Sequence, residues 1–266
     1  MQNHRLPTFF LSHGGGPWPY MDGDYRRAHA QLEASLQALP ATLPAGPKAI
    51  LMISAHWEEP AYTVMTSPAP GMLYDYGGFP AHTYQVVYPA KGDPVLAERV
   101  VALIQAAGLP TARDDKRGFD HGAFCTLAPM YPQADIPVVQ LSLKRGLDPA
   151  EHLALGRALA PLRDEGVLIL GSGFSFHNLR LYGEAGRQPS AAFDAWLQDV
   201  LPSAEGRGER LQTWAQAPAA RLAHPREEHL LPLMVAAGAA EGDAASCNYH
   251  ETEFLGGVTA SSFRFG

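Results

Sequence analysis

Three histidines in the sequence each follow a short apolar run. They are His13 in FFLSHGGG, His56 in ILMISAHWEE and His177 in VLILGSGFSFHNLR. Short continuous apolar runs predict buried strands, and residues just past the carboxyl ends of such strands converge on one crevice in an open α/β sheet. Imidazole is a common ligand of Zn(II) and Fe(II). The placement therefore predicts a metal site at the strand ends, with His13 and His56 as ligands.

A fourth histidine, His121, lies in GFDHGAFC, where Asp120 is predicted to cap a helix. His121 then falls in the first helical turn, where the helix dipole disfavours a charged imidazolium. A neutral ring at this position can exchange hydrogen bonds with a bound oxygen atom. Simple capping geometry explains the same residues equally well at this point.

A fifth candidate region is the segment HPREEHLLPL, which has helical spacing after Pro225. Glu227, Glu228 and His229 are all potential ligands there, because Glu and His both bind Fe(II) and Zn(II). Their spacing does not choose among them. A solvated polar turn in front of an apolar helix is the alternative interpretation.

The remaining histidines carry weaker signals. Five lie at a terminus, on predicted helices or in polar surroundings and are predicted to be surface residues: His4, His29, His152, His224 and His250. His82 lies in a glycine-rich loop among aromatic residues: Tyr74, Tyr76, Phe79 and Tyr84. Such a group can wall an aromatic ligand or simply anchor the loop.

The elements that must position these residues alternate along the chain. Buried strands are predicted over residues 8–12, 49–54, 136–143 and 167–171, with a weaker candidate at 84–88. Helices are predicted over residues 25–39, 94–107, 121–130 and 149–165. Beyond residue 183 the pattern is mainly helical, and residues 248–265 predict one or two closing strands. The alternation indicates one α/β domain over residues 1–266, with a largely parallel or mixed central sheet, helices on both faces and the metal site at the strand carboxyl ends.

The composition excludes several classes of protein. The chain has 266 residues, a net charge of -7 and scattered basic residues, which is not the footprint of a nucleic-acid-binding protein. It contains no apolar run long enough for a membrane span and no signal-peptide pattern at its start, which predicts a cytoplasmic protein. It has only two cysteines, so a metal site must use nitrogen and oxygen ligands. These features favour a small-molecule partner, and they do not indicate an oligomeric state.

Six motifs together resemble the extradiol ring-cleavage dioxygenases of the protocatechuate 4,5-dioxygenase β-subunit class, in particular the DOPA 4,5-dioxygenase branch. The motifs cover nearly the whole chain: SHGGGP, SAHWEE, YDYGGFPAHTYQVVYPAKGDP, RGFDHGAF, GSGFSFHNLR and EEHLLPL. The resemblance implies cleavage of a DOPA-like catechol with O₂ to a muconic semialdehyde, a reaction of aromatic catabolism that incorporates both oxygen atoms. It also implies working Fe(II).

The resemblance assigns roles to individual residues. It implies His13, His56 and His229 as metal ligands, with His229 preferred over Glu228 because the DOPA branch has a histidine there. It implies His177 as the catalytic base, close enough to the metal to be counted as a further ligand, and His121 as the second acid–base residue.

Substrate contacts and metal identity are predicted on other grounds. Tyr76 and Phe79, in the glycine-rich loop, are predicted to stack on the substrate. An all-histidine ligand set also suits Zn(II), which isolated protein can carry because zinc binds more tightly than Fe(II). Zinc would favour a hydrolase on the same scaffold as an alternative. A second alternative comes from the resemblance: a binding protein without catalytic activity, similar to the distantly related Memo-type proteins.

Overall fold

The computed structural model describes residues 5–266, and in this range all eight strands join one mixed sheet. The strands are β1 (Thr8–Ser12), β2 (Ala49–Glu59), β3 (Tyr62–Met65), β4 (Thr111–Asp114), β5 (Val138–Lys144), β6 (Val167–Gly173), β7 (Ala245–Phe254) and β8 (Val258–Phe265). Their order across the sheet is β4-β3-β5-β2-β6-β1-β8-β7. The predicted α/β fold is confirmed.

Helices flank this sheet. They are α1 (Gly23–Arg27), α2 (Ala30–Ala38), α3 (Pro94–Ala106), α4 (His121–Met130), α5 (Pro149–Leu159), α6 (Glu184–Val200), α7 (Arg207–Gln212), α8 (Ala220–Ala223) and α9 (Leu231–Ala239). Helix α9 is buried along its whole length and packs on β1, β6 and α5. In the described range, none of the helices is both long and apolar enough to cross a membrane.

Four adjacent parallel strands form the centre of the sheet. β5 pairs with β2, β2 with β6 and β6 with β1, all in parallel. The strands β1 and β6 are buried along their whole length, as expected for strands covered on both faces. Because the four strands run the same way, their carboxyl ends lie along one edge of the sheet, where His13 follows β1 and His177 lies beyond β6.

Some predicted element boundaries were wrong. Residues 84–88 do not form a strand, because Ala81–Gln85 is a 3-10 turn followed by irregular chain. The helix predicted over 25–39 is broken between Arg27 and Ala30, and α5 ends at Leu159 before a 3-10 turn. The strand predicted over 49–54 continues to Glu59, so His56 lies within β2 and not beyond it.

The surface assignment of three histidines was also wrong. His29, His152 and His224 are all fully buried. Their rings are packed among elements that lie far apart in the sequence, which local polarity does not reveal. His250 is exposed as predicted, and His4 lies outside the described residues.

Candidate metal centre and active site

The first loop at the sheet edge carries His13. Its backbone N–H donates to the carbonyl of Gly173 at 3.0 Å, which ties the ends of β1 and β6 together. Its own carbonyl accepts a hydrogen bond from Trp18 Nε1 at 2.7 Å. Both contacts are buried, so the backbone of His13 is fixed at the junction of the two central strands.

His56 is presented by an irregularity in β2. The pairing of β2 with β5 shifts register between Ile53 and Glu58, so the intervening residues bulge away from the ladder. Gly122, in the first turn of α4, leaves room for the His56 ring: a Cβ atom there would lie 3.0 Å from His56 Cδ2 and 2.7 Å from Ser54 Oγ. A bulge and a close helix approach together aim this imidazole into the crevice.

His229 lies in the turn that precedes α9. The N–H of Phe174 donates to the His229 carbonyl at 2.9 Å, so this turn is fastened to the end of β6. Gly173 makes the close approach possible, because a Cβ atom there would lie only 2.1 Å from the His229 carbonyl oxygen. A larger residue at position 173 would push the turn, and with it the ring, away from the sheet.

The three rings converge on one point. His56 Nε2 lies 3.3 Å from His13 Nε2 and 3.3 Å from His229 Nε2. Two nitrogens held 2.0–2.1 Å from a common ion are separated by about 2.8–3.0 Å at octahedral angles and by about 3.3–3.4 Å at tetrahedral angles. The spacing of these nitrogens therefore fits coordination of a single metal ion.

Two more imidazoles adjoin this cluster. The ring of His121 lies 4.0 Å from that of His56, and the ring of His177 stacks on that of His229 at 3.3 Å, measured between centroids. By distance alone the donor atoms fall into two groups, one formed by His13, His56 and His121 and the other by His177, Glu228 and His229. The 3.3 Å contact between His56 and His229 joins the two groups.

Two carboxylates border the cluster. Asp75 accepts hydrogen bonds through Oδ1 from both the backbone N–H and the Nδ1 of His121, at 3.0 and 2.8 Å, and its Oδ2 lies 3.3 Å from His56 Nδ1. Glu228 Oε1 accepts from His229 Nδ1 at 3.0 Å and lies 3.4 Å from His177 Nδ1. Each carboxylate thus contacts two imidazoles on the side turned away from the convergence point.

The histidines at the centre are held in their neutral form. Burial is the main cause that lowers the pKa of His13 well below its ordinary value, and the neighbouring imidazoles add repulsion. The same causes lower the pKa of His56 and of His229. Burial raises the pKa of the Asp75 carboxyl, but the hydrogen bonds from the His121 ring and backbone, together with electrostatic attraction to that ring, outweigh burial and the pKa falls. Neutral imidazoles beside ionised carboxylates are ready to bind a cation.

A cavity of about 310 Å³ opens directly onto the rings. Besides the five histidines, its walls are glycine, aromatic and aliphatic residues: Gly14, Gly15, Gly16, Tyr25, Tyr76, Phe79, Leu179, Tyr182 and Leu255. The Tyr76 hydroxyl donates to the Thr83 carbonyl at 2.5 Å, and the Tyr76 and Phe79 rings meet edge to face at 5.5 Å. A mostly apolar cavity of this size suits a single aromatic ring.

Comparison with known proteins agrees with this site. Residues 7–266 match the family described as the catalytic LigB subunit of aromatic ring-opening dioxygenase. A 4,5-DOPA dioxygenase extradiol of Beta vulgaris is 42% identical over 264 residues, covering 97% of this chain and 96% of that protein. A dioxygenase of Hapsidospora irregularis is 40% identical, covering 94% and 82%. The crystal structure of an uncharacterized protein from Escherichia coli K12 superposes with a TM-score of 0.79 at 33% identity, covering 98% of this chain and all of that one.

The chain belongs to the LigB family of aromatic ring-opening dioxygenases. The predicted extradiol dioxygenase class, an oxidoreductase, is confirmed. The family depends on a metal, and the cluster around His13, His56 and His121 contains a three-histidine group able to bind one.

The structure brings all seven predicted site residues to one cavity. Sequence reasoning missed Asp75 altogether and treated Glu228 only as a rival ligand. An acidic residue within the aromatic, glycine-rich stretch YDYGG was the one available signal for Asp75, and it does not indicate which histidines the carboxylate contacts.

Proposed function

We propose that this chain is an Fe(II)-dependent extradiol dioxygenase that cleaves a DOPA-like catechol with O₂ to a muconic semialdehyde, in the catabolism of aromatic compounds. In this proposal His13, His56 and His229 hold the metal. The observation that carries it is the convergence of three Nε2 atoms, with 3.3 Å contacts, beside an aromatic-walled cavity that also contains two further imidazoles.

Three protein ligands suit this reaction because they leave coordination positions for both substrates, as in other non-heme iron oxygenases. When bound, Fe(II) supplies the redox chemistry that lets a catechol react with O₂. The ligand set equally accepts Zn(II), so isolated protein is expected to contain zinc whenever zinc is in excess. A zinc-bearing preparation is therefore to be stripped and reloaded before its activity is judged.

His177 is proposed to accept the proton of a catechol hydroxyl as the substrate binds. Its Nδ1 faces Glu228, which leaves Nε2 to take the proton, and its stacking on His229 places it against the proposed metal ligands. The same contact is compatible with His177 as an additional ligand. His121, whose Nδ1 donates to Asp75, is proposed as the second acid–base group on the opposite side of the cluster.

Tyr76 and Phe79 are proposed to hold the substrate ring. Both line the cavity, and the Tyr76 ring lies 5.8 Å from that of His121, edge to face. The names of the curated relatives support a catechol with an amino-acid side chain as substrate. Phe79→Leu is expected to raise KM several-fold with little change in kcat, because an aromatic contact contributes about 0.5–1.5 kcal/mol.

The test is oxygen uptake by Fe(II)-loaded protein with DOPA, protocatechuate and plain catechol. We expect stoichiometric O₂ consumption and a yellow product, with DOPA as the best substrate and with a large loss of kcat in His177→Ala. No uptake with any of the three catechols would contradict the proposal. Metal-dependent hydrolysis of esters without oxygen uptake would instead favour the zinc hydrolase, and metal-dependent peptide binding without turnover would favour the binding protein.

We also propose that residues 1–266 form one catalytic domain in the cytoplasm. Neither cysteine forms a disulfide: Cys125 is buried and Cys247 is exposed. Free cysteines are typical of a reducing compartment.

A further inference from the structure

The two carboxylates of the site have similar surroundings on opposite sides of the histidine cluster. Asp75 contacts His56, a proposed ligand, and His121, a proposed acid–base residue. Glu228 contacts His229, a proposed ligand, and His177, the proposed base. In every case the carboxylate oxygen faces Nδ1 of the imidazole. Each carboxylate is therefore shared between one proposed metal ligand and one proposed acid–base residue.

We propose that Asp75 and Glu228 are positioning residues that lock each such pair of imidazoles in the Nδ1–H form. This inference rests on the roles assigned above. An ionised carboxylate only accepts hydrogen bonds, so an imidazole nitrogen that faces it must carry the proton. The other nitrogen, Nε2, then keeps its lone pair. For a ligand that lone pair binds metal, and for a base it takes up a proton.

The surroundings of Glu228 support this assignment. Its Oε2 lies 3.3 Å from Arg226 Nη1, and Arg226 also pairs with Glu58. Oε1 is left for the two stacked imidazoles of His177 and His229, whose planes are inclined by only 14°. One carboxylate oxygen has two lone-pair directions and can therefore serve two parallel rings.

Asp75 achieves the same result with both of its oxygens. Oδ1 holds the backbone N–H and the Nδ1 of His121, and Oδ2 faces His56 Nδ1. The side chain is only 18% exposed, so water competes little for these contacts. The loop that carries Asp75 is itself fixed, because Leu73 N–H donates to the Phe119 carbonyl at 2.8 Å and Phe119 N–H donates to the Gly71 carbonyl at 2.9 Å.

An amide cannot replace either carboxylate in this role. In Asp75→Asn the amide donor would face an Nδ1–H, because the two oxygens of Asp75 serve different imidazoles. In Glu228→Gln the amide oxygen would accept from the Arg226 guanidinium, which only donates, and the NH₂ group would then face the Nδ1–H groups of His177 and His229. One of the two imidazoles would then have to turn over or move its proton to Nε2. We therefore expect either single change to alter the Nδ1–H form of at least one of the two rings that the carboxylate serves.

The tautomers can be read directly by long-range ¹H–¹⁵N NMR of histidine-labelled protein loaded with diamagnetic Zn(II). In the wild type we expect Nδ1–H resonances for His56, His121, His177 and His229. In Glu228→Gln we expect the pattern of His177 or His229 to change, and in Asp75→Asn that of His121 or His56. An Nε2–H form of His121 or His177 in the wild type would overturn the proposal without any variant.

Metal affinity gives a second readout that does not depend on turnover. Competition with a chromophoric chelator should show about 10–100-fold weaker Zn(II) binding in Glu228→Gln and Asp75→Asn. The matched control is Glu227→Gln, which removes the neighbouring carboxylate that pairs with Arg221 and should leave affinity and tautomers unchanged. Glu228→Asp keeps the acceptor and should recover part of the affinity if Glu228→Gln folds poorly.

The outcomes separate this inference from the proposed function. Weaker metal binding in Glu228→Gln with the tautomers of both His177 and His229 unchanged would mean that Glu228 does not set the proton position, and the proposal would be refuted. Failure of the iron-loaded wild type to consume oxygen would refute the proposed reaction and leave the tautomer result intact.

Discussion

Two sets of buried histidines in this chain differ in what their ring nitrogens contact. Away from the site, His29 donates through Nδ1 to the Tyr25 carbonyl at 2.8 Å and accepts at Nε2 from Gly15 N–H. His152 likewise donates to the Asp148 carbonyl and accepts from Lys144 N–H. Both nitrogens of each ring are thus satisfied by backbone groups. We call His29 and His152 the structural histidines.

The rings at the centre are arranged differently. His56 and His229 turn Nδ1 toward a carboxylate and Nε2 toward each other. Burial lowers the pKa of His29 and His152 to about 4 and also lowers the pKa of the central rings, so burial does not distinguish the two sets. The direction of Nε2 distinguishes them. In His29 and His152 the Nε2 lone pair accepts a hydrogen bond from a backbone N–H, whereas in a metal ligand that lone pair is left for the cation.

The largest expected effect comes from removing a ring whose Nε2 converges on the others. Loss of the hydrogen-bonding partner of a ligand can weaken metal binding by about 100-fold. His56→Ala removes a proposed ligand itself, so it should weaken metal binding by more than this and should abolish oxygen uptake. The fold should persist, because His56 lies at a bulge where β2 does not pair with β5. Metal content after gel filtration and circular dichroism check both expectations. His250→Ala, the same change at an exposed histidine on β7, is the control and should retain metal.

The next largest effect concerns the two acid–base rings. Loss of either should lower kcat by about 10²–10⁴-fold while metal stays bound. The His177 side chain is 20% exposed and lines cavities on two sides, whereas that of His121 is 8% exposed beneath Asp75. Imidazole added to the assay should therefore restore part of the activity of His177→Ala and much less of that of His121→Ala. Equal rescue of the two variants would contradict the difference in access.

A structural histidine should make the stability of the fold depend on pH. The pKa of His152 is about 4 in the folded chain and about 6.5 when unfolded, so this neutral ring stabilises the fold fully above pH 6.5. As the pH falls from 6.5 to 4, only the unfolded chain takes up this proton, and the free energy of unfolding drops by up to about 1.4 kcal/mol per pH unit. Urea unfolding of metal-free protein should show that the free energy of unfolding falls less steeply with decreasing pH in His152→Gln than in the wild type. Parallel curves for the variant and the wild type would show that His152 is protonated in the folded chain.

The sequence allowed prediction of much of the fold and of the histidine centre. Strand β1 and helix α4 have the predicted bounds, because a continuous apolar run and an aspartate cap are local signals. His13 was placed by its position after β1. Strand β2 was predicted too short, because its last residues, HWEE, look like loop, whereas Glu58 and Glu59 pair with β5 beyond the bulge.

The structural histidines and the carboxylates of the site were not predicted correctly, for a common physical reason. His152 looks like a helix-surface residue, yet its ring is buried against Tyr62 of β3, and nothing near residue 152 signals this packing. Asp75 reaches His121 across 46 residues of sequence. Contacts of this kind depend on how the elements pack, so a single sequence carries no periodic signal for them.

The smallest effect is expected at His82, which belongs to neither set. Its ring is exposed, and its single hydrogen bond is from Nε2 to the Tyr20 carbonyl at 3.0 Å. His82→Ala should change the free energy of unfolding by no more than about 0.5 kcal/mol, which is usual for a surface substitution. Metal content and kcat should match the wild type. A loss of metal in this variant would show that burial and the direction of Nε2 are not enough to tell ligands from other histidines in this chain.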